Sequence, residues 1–375
     1  MKLLSSSPLR NLQLLAFLGV LVVCSNTSYG QEGKTPQVFR EINAYLISQT
    51  DAGKFRGVVL VGINGKVAFE KGYGFADEEW NAPNTVQTKF RIASLTKQFT
   101  AACILLLQER GKLSVHDPVS RYVPDLPQDW QGITIHQLLT HTSGIPNYPG
   151  MPPIENKLNR TGATPRQILE VAATKPLDFK PGSKLQYTNT GYVLLGMVIE
   201  KVSGTSYANF LQKEIFTPLG MKDSGYDIVS KILPQRASGY MVEAGHIKNS
   251  DFIDISIPFA AGGIYSTVDD MYRWSEALAN GKLLSTASIN QMFGIYPEAL
   301  LDGMHYGYGV VIAERFGRQL YYHGGGVKGF ESVIQRYPKE KLCIIVLENL
   351  DPTSPWILGD HIASALFDQP LKTSN

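Results

Sequence analysis

Residues 91–107 read RIASLTKQFTAACILLL, and the interpretation of the whole chain depends on this stretch. The run FTAACILLL at 99–107 is apolar enough to predict a buried helix, which Gly111 would end. Ser94 precedes the helix and is expected to be its N-cap, and Lys97 follows one helical turn later on the same face. A buried lysine is costly unless it is used, so this S-x-x-K, taken alone, fits a capping serine followed by a surface lysine better than a catalytic pair.

Strand patterns lie near both ends of the chain. GVVLVGINGKVAFEKGYGFAD, from residue 57, contains two strand-like runs joined by Asn64-Gly65, a strong hairpin signal. Further hairpins are predicted around 316–317 and 338–339, and residues 355–367 predict a closing amphipathic helix. The chain is therefore expected to begin and end in the same antiparallel sheet.

The region between the strand patterns is mostly helical in its spacing of apolar residues. We therefore predict an α+β fold, with an antiparallel β-sheet flanked by helices and assembled from about 36–93 and 256–368. A helical subdomain, about 94–255, would be inserted into it. Sites in such layouts usually lie in the crevice between the two parts.

Composition and charge exclude one class of function. The chain has 375 residues, 43% hydrophobic and 18% charged, which describes a globular protein with a substantial core. The formal net charge is +2, and Lys2 and Arg10 supply both excess charges because the first thirty residues hold no acid. The remainder is neutral and has no basic run, so nucleic acid is not an expected partner.

The N-terminus has the pattern of an export signal. A basic start is followed by the apolar run LQLLAFLGVLVV at 12–23 and by small residues at Ser28 and Gly30, which predicts a signal peptide over residues 1–30. We expect a periplasmic or secreted protein with no stable membrane span after cleavage. A lipid or N-terminal anchor is the less favoured alternative, since Val23 is bulkier than the residue expected before a lipidated Cys24.

Two further polar motifs stand next to predicted regular elements. In PGSKLQYTNTGYVLLG, Tyr187 and Asn189 lie two apart before a helix, so an extended backbone would direct both side chains the same way. Tyr207-Ala208-Asn209 repeats the pattern inside a helical segment and is interpreted as structural. In YYHGGGVKGF, His323 ends a strand, and the glycines after it would let backbone N–H groups approach a ligand.

In combination, and in this order, these motifs resemble the signature of the serine β-lactamase and penicillin-binding-protein superfamily, specifically relatives of class C β-lactamases. LLTHTSGIPNY, IFTPLGMKDSGY and AAGGIYSTVDDMYRW are also similar to segments of that family. The resemblance covers residues 36–368, which is the predicted hydrolase domain. It implies a β-lactamase/transpeptidase-like fold and hydrolysis through an acyl-enzyme, with no cofactor and a small-molecule or peptide substrate.

The resemblance assigns roles to the motif residues. Ser94 would be the nucleophile and Lys97 would take its proton, a task that suits a desolvated amine. Tyr187 would share the proton transfers and activate the deacylating water. Asn189 would hold Lys97 and the substrate amide.

The H-x-G strand would supply substrate-binding groups. The oxyanion hole would combine the Ser94 N–H with that of Gly326, which follows His323-x-Gly325. β-Lactamases of this family have a lysine where this chain has His323, and a mostly neutral imidazole compensates a β-lactam carboxylate less well. We therefore expect slow β-lactam hydrolysis, with affinity improving as pH falls through about 6.5, and activity on esters or D-amino-acid peptides instead.

Other readings of the sequence are weaker or remain open. The chain has no G-x-S-x-G or H-E-x-x-H motif, and His136 and His141 are five apart, off one helical face, so no metal site is predicted. His141 is expected to be a structural loop residue. Cys103 and Cys343 lie in apolar runs and are expected to be separate core residues. The alternative function is a non-hydrolytic penicillin-recognising sensor or cell-wall binding protein that is acylated and stalls.

Overall fold

The computed structural model describes residues 35–301 and 303–369. The predicted signal peptide and Cys24 lie outside the described residues. Within those residues, no helix has the length and apolar character needed to cross a bilayer.

The strands are, in chain order, β1 (Gly57–Ile63), β2 (Lys66–Tyr73), β3 (Phe75–Asp77), β4 (Ala82–Pro83), β5 (Phe90–Arg91), β6 (Gly225–Tyr226), β7 (Tyr240–Glu243), β8 (His246–Asn249), β9 (Ile264–Ser266), β10 (Leu300–Leu301), β11 (Met304–Tyr306), β12 (Val311–Arg315), β13 (Arg318–Val327), β14 (Phe330–Tyr337), β15 (Leu342–Glu348) and β16 (Leu350–Asp351). The helices are α1 (Thr35–Asp51), α2 (Thr96–Glu109), α3 (Ile135–Leu139), α4 (Asn159–Thr161), α5 (Pro165–Ala172), α6 (Asn189–Ser203), α7 (Tyr207–Leu211), α8 (Thr217–Leu219), α9 (Phe259–Gly262), α10 (Val268–Ala279), α11 (Thr286–Met292) and α12 (Pro355–Phe367).

An antiparallel sheet of eight strands joins the two ends of the described chain. Its order is β10-β11-β12-β13-β14-β15-β1-β2. Strand β1 pairs with β15, so that Gly57 lies opposite Glu348 and Ile63 opposite Leu342. Every residue of β15 is buried, as expected for a central strand covered on both faces. The predicted α+β fold, with an antiparallel sheet and an inserted helical part, is confirmed.

Local turn chemistry fixes the register of the hairpins. Asn64 and Gly65 have φ angles of 53° and 76°, and a two-residue type I′ turn requires positive φ at both positions. Phe316 and Gly317 have φ angles of 56° and 66° and join β12 to β13 in the same way. The third predicted hairpin, between β14 and β15, is also present and has a longer turn.

The two faces of the sheet are covered by different helices. On one face, α1 and α12 bury residues such as Leu46 and Ile362 against β1 and β15. The other face packs on α10, whose Trp274 stacks on Phe99 of α2 with ring centroids 4.2 Å apart, and α2 is buried along nearly its whole length. This position explains why residues 101–107 of α2 are apolar on all sides of the helix. Cys103 and Cys343 are both buried and are not bonded to each other.

Candidate active site

Ser94 lies in a 3₁₀ turn, Ala93–Leu95, immediately before α2. The predicted N-cap role is wrong, because Leu95 occupies the cap position of α2 and no side chain caps the helix. Ala93 has a φ of 45°, a left-handed conformation that costs an alanine about 1–3 kcal/mol and is typical of functional sites. The turn leaves Ser94 half-buried between fully buried neighbours, with its hydroxyl directed at Lys97 rather than at the helix amides.

Lys97 is completely buried, and its Nζ atom has three oxygen neighbours. Nζ lies 3.0 Å from Ser94 Oγ, 2.8 Å from Asn189 Oδ1 and 2.8 Å from the carbonyl oxygen of Ala261. Burial lowers the pKa of Lys97 well below its ordinary value, because desolvation penalises the charged amine. The tertiary structure therefore favours a neutral Lys97 in contact with the candidate nucleophile.

The neighbours of Nζ determine where its lone pair points. A side-chain amide oxygen and a backbone carbonyl can only accept hydrogen bonds, whereas a serine hydroxyl can donate one. A neutral amine has two N–H donors, which Asn189 and Ala261 accept. The remaining lone pair is left for the Ser94 hydroxyl. This geometry allows the proton to pass from Ser94 Oγ to Lys97 Nζ.

Tyr187 and Asn189 reach this centre from the start of α6. Thr188 between them is extended, with φ −141° and ψ 129°, so both neighbouring side chains face Lys97 as the spacing predicts. The Tyr187 ring centroid lies 4.8 Å from Lys97 Nζ. Burial raises the pKa of Tyr187 above its ordinary value, and hydrogen bonding with Ser94 opposes that increase in part. The phenol is therefore neutral at neutral pH and can donate a proton.

His141 holds the backbone on both sides of Tyr187. Its carbonyl accepts from the Gln186 N–H at 2.9 Å, and its Nδ1 accepts from the Thr188 N–H at 3.2 Å. Its buried ring lies 4.3 Å from the Tyr187 ring, measured between centroids. Burial lowers the pKa of His141 well below its ordinary value, because desolvation penalises the charged imidazolium. These contacts are those of a neutral supporting residue.

The second Y-x-N has different surroundings. Tyr207 is fully buried at the first turn of α7, and its hydroxyl lies 2.6 Å from Thr100 Oγ1. Its ring packs against Tyr226 and Phe259. Tyr207 thus fills a core position, in keeping with its structural interpretation.

Gly325 and Gly326 have separate positions on β13. Gly325 is buried, and a Cβ there would lie 2.6 Å from the Ile92 carbonyl oxygen and 2.8 Å from the Ser94 nitrogen. Only a glycine permits this approach of β13 to the Ser94 turn. Gly326 is exposed and lines the same cavity as Ser94. The pairing of the Ser94 and Gly326 amides as an oxyanion hole stays a prediction.

His323 departs from its sequence-based expectation. The imidazole is only 4% exposed, with Nε2 2.8 Å from the Tyr306 hydroxyl and Nδ1 2.5 Å from the Gly324 carbonyl oxygen. Because a carbonyl only accepts, Nδ1 carries the proton and Nε2 accepts from Tyr306. Burial lowers the pKa of His323 to about 3. The expected titration near pH 6.5 is therefore wrong, since the desolvated imidazolium does not form there.

A cavity of about 230 Å³ opens beside Ser94 and is lined also by Asn189 and Gly326. Two charged residues on its wall, Glu155 and Lys328, are not among the site residues predicted from the sequence. Lys328 follows the glycines of YYHGGGVKGF and could have been found there, whereas Glu155 lies in MPPIENKLNR, which has no motif. Across the described ranges, no group of three or more His, Cys, Asp or Glu side chains is arranged to hold a metal ion.

Comparisons with known proteins agree with this geometry. A family model described as Beta-lactamase matches residues 39–365. The chain belongs to this β-lactamase family. The chain is also similar to penicillin-binding proteins. It is 32% identical to a penicillin-binding protein of Bacillus subtilis (strain 168) over 84% of this chain and 73% of that relative. The protein flp of Staphylococcus aureus (strain N315) is 29% identical over 83% of this chain and 62% of its own length.

The fold of this chain is also similar to that of an enzyme whose structure has been solved. The D-amino acid amidase from Ochrobactrum anthropi SV3 aligns with a TM-score of 0.78 and 26% identity, covering 88% of this chain and 99% of the amidase. The resemblance stated from the sequence motifs is confirmed: the protein is a serine hydrolase of the β-lactamase and penicillin-binding-protein superfamily.

Proposed function

We propose that this β-lactamase-family protein is an exported hydrolase that forms an acyl-enzyme on Ser94 and acts on esters or on amides and peptides of D-amino acids. The contact between the buried amine of Lys97 and Ser94 Oγ, at 3.0 Å, carries the proposal. A buried lysine without a role would cost stability, and the lowered pKa of Lys97 suits a general base.

In the acylation step, Lys97 Nζ takes the Ser94 proton as Oγ attacks the substrate carbonyl carbon. The Ser94 and Gly326 N–H groups would stabilise the oxyanion that forms. The proton then passes to the leaving group through Lys97 and the Tyr187 hydroxyl, and the acyl group remains on Ser94. In deacylation, water attacks the acyl carbonyl carbon and its proton passes through the Tyr187 hydroxyl to Lys97 Nζ. That proton then moves to Ser94 Oγ as the ester bond breaks, which releases the acid and restores the Ser94 hydroxyl.

The proposed substrate class has two supports. Similarity to a D-amino acid amidase along nearly the whole of that enzyme favours amides of D-amino acids. Neutral His323, with both ring nitrogens already hydrogen-bonded, offers no cation to a β-lactam carboxylate. Slow turnover of β-lactams is therefore expected. The proposal that the protein is exported has a separate basis, the signal-peptide pattern of residues 1–30.

A serine-reactive phosphonate and a chromogenic ester test the proposal together. Wild-type protein should be labelled on Ser94 and should turn over p-nitrophenyl acetate continuously, and Ser94→Ala should lose both properties. A single stoichiometric burst without turnover would favour the non-hydrolytic alternative. Labelling that persists in Ser94→Ala would overturn the assignment of the nucleophile.

A further inference from the structure

Glu155 presents an oriented carboxylate to the cavity beside Ser94. One carboxylate oxygen accepts from the Gly150 N–H at 3.2 Å, and the other accepts from Asn159 Nδ2 at 3.0 Å. Asn159 is itself only 5% exposed and also lines the cavity. Both donors are neutral amides, so they fix the direction of the carboxylate without cancelling its charge.

The other charged groups of the cavity do not neutralise Glu155. Lys97 is buried behind Ser94 and its pKa is lowered by desolvation. Lys328, on the wall, makes an ion pair with Asp251, with Nζ 3.3 Å from Oδ2. Among the described residues that line the cavity, Glu155 therefore leaves a negative charge that a bound molecule can compensate.

We propose that the cavity selects substrates that carry a protonated amine, which Glu155 binds. This inference rests on the proposed function and names the substrate class of the same site. The remaining wall is largely apolar, with Ile154 and Ile257 among its residues, and about 230 Å³ corresponds to the space of roughly eight water molecules. That space suits one amino-acid-sized group, whose side chain would contact the apolar wall while its ammonium faces Glu155.

Two p-nitroanilides that differ only in the amine test the proposal: those of D-alanine and of propionic acid. Wild-type protein should prefer the D-alanine compound, and Glu155→Gln should lower kcat/KM for it by roughly three- to thirtyfold, the range between an exposed ion pair and a charge-assisted hydrogen bond. Turnover of the propionic compound and of p-nitrophenyl acetate should stay unchanged. Glu170→Gln, an exposed carboxylate on α5, is the matched control and should alter neither.

The preference should also fall above about pH 8, where an α-amino group loses its proton, and should weaken with added salt. If Glu155→Gln lowers turnover of the charged and neutral substrates equally, or lowers neither, the inference is wrong. The same holds if wild-type protein cleaves p-nitrophenyl acetate but does not favour the D-alanine compound. Failure of the proposed function is different: wild-type protein would then neither cleave p-nitrophenyl acetate nor react with the phosphonate.

Discussion

Lys97→Met separates the catalytic and energetic consequences of burying an amine. Methionine is close to lysine in length and apolar, so it fills the space while removing Nζ from its contacts with Ser94, Asn189 and Ala261. Loss of the general base should lower the turnover of p-nitrophenyl acetate by about 10²- to 10⁴-fold. The effect on stability has opposing parts, because the buried Ala261 carbonyl loses a donor while the cost of a desolvated amine disappears.

The pH dependence of stability isolates the part due to Lys97. In the folded protein its pKa is lowered by burial, whereas an unfolded lysine has a pKa of about 10.4. Between these values the unfolded chain binds one more proton than the folded one, so wild-type stability rises with pH. The rise is about 1.4 kcal/mol per pH unit for one proton, so a folded Lys97 that is neutral at both about pH 7.5 and about pH 9 contributes about 2 kcal/mol across that interval. Lys97→Met should lack this increment.

The measurement is the free energy of unfolding in urea at both pH values for wild type and Lys97→Met. Exposed Lys222→Met is the matched control and should keep both the rate and the pH dependence of the wild type. Equal pH dependence in wild type and Lys97→Met would mean that Lys97 stays charged in the folded protein. That result would refute the neutral-base mechanism, as would activity within a few-fold of wild type.

Three further results are expected. Tyr187→Phe should slow acylation, deacylation or both while leaving the fold intact, and mass spectrometry should detect any acyl group that accumulates on Ser94. Tyr207→Phe loses a core hydrogen bond, so it should cost about 1 kcal/mol of stability and little activity. The reverse pattern would contradict the choice of Tyr187 as the active-site tyrosine. Inhibition of ester hydrolysis by nitrocefin should be independent of pH between about 5.5 and 7.5, because the pKa of His323 is about 3 and its neutral form prevails above that value. An inflection near pH 6.5 that is absent from His323→Gln would show that the imidazole titrates there. Gly325→Ala should abolish phosphonate labelling, since its Cβ would meet backbone atoms 2.6 Å and 2.8 Å away, and near-normal labelling would show that β13 can shift away from the Ser94 turn.

Signals between neighbouring residues determined much of the fold. A type I′ turn requires positive φ at both central positions, which asparagine and glycine adopt readily, so the hairpin could be predicted from Asn64-Gly65 alone. The apolar run of α2 and the four-residue span from Ser94 to Lys97 likewise predicted a helix start with two polar groups in contact. Such features depend on backbone conformation over one or two turns, which local sequence controls.

The tertiary structure decided the protonation and the surroundings of the site. Desolvation lowers the pKa of Lys97, whose Nζ contacts Ala261, 164 positions away. His323 is kept neutral by burial and is hydrogen-bonded to Tyr306. Glu155 likewise reaches the Ser94 cavity from a segment without a motif. The sequence identified which groups could react. The pKa values of those groups and the charge of the cavity depend on how much water is excluded and on which distant atoms replace it. Both depend on tertiary packing rather than on neighbouring residues in the sequence.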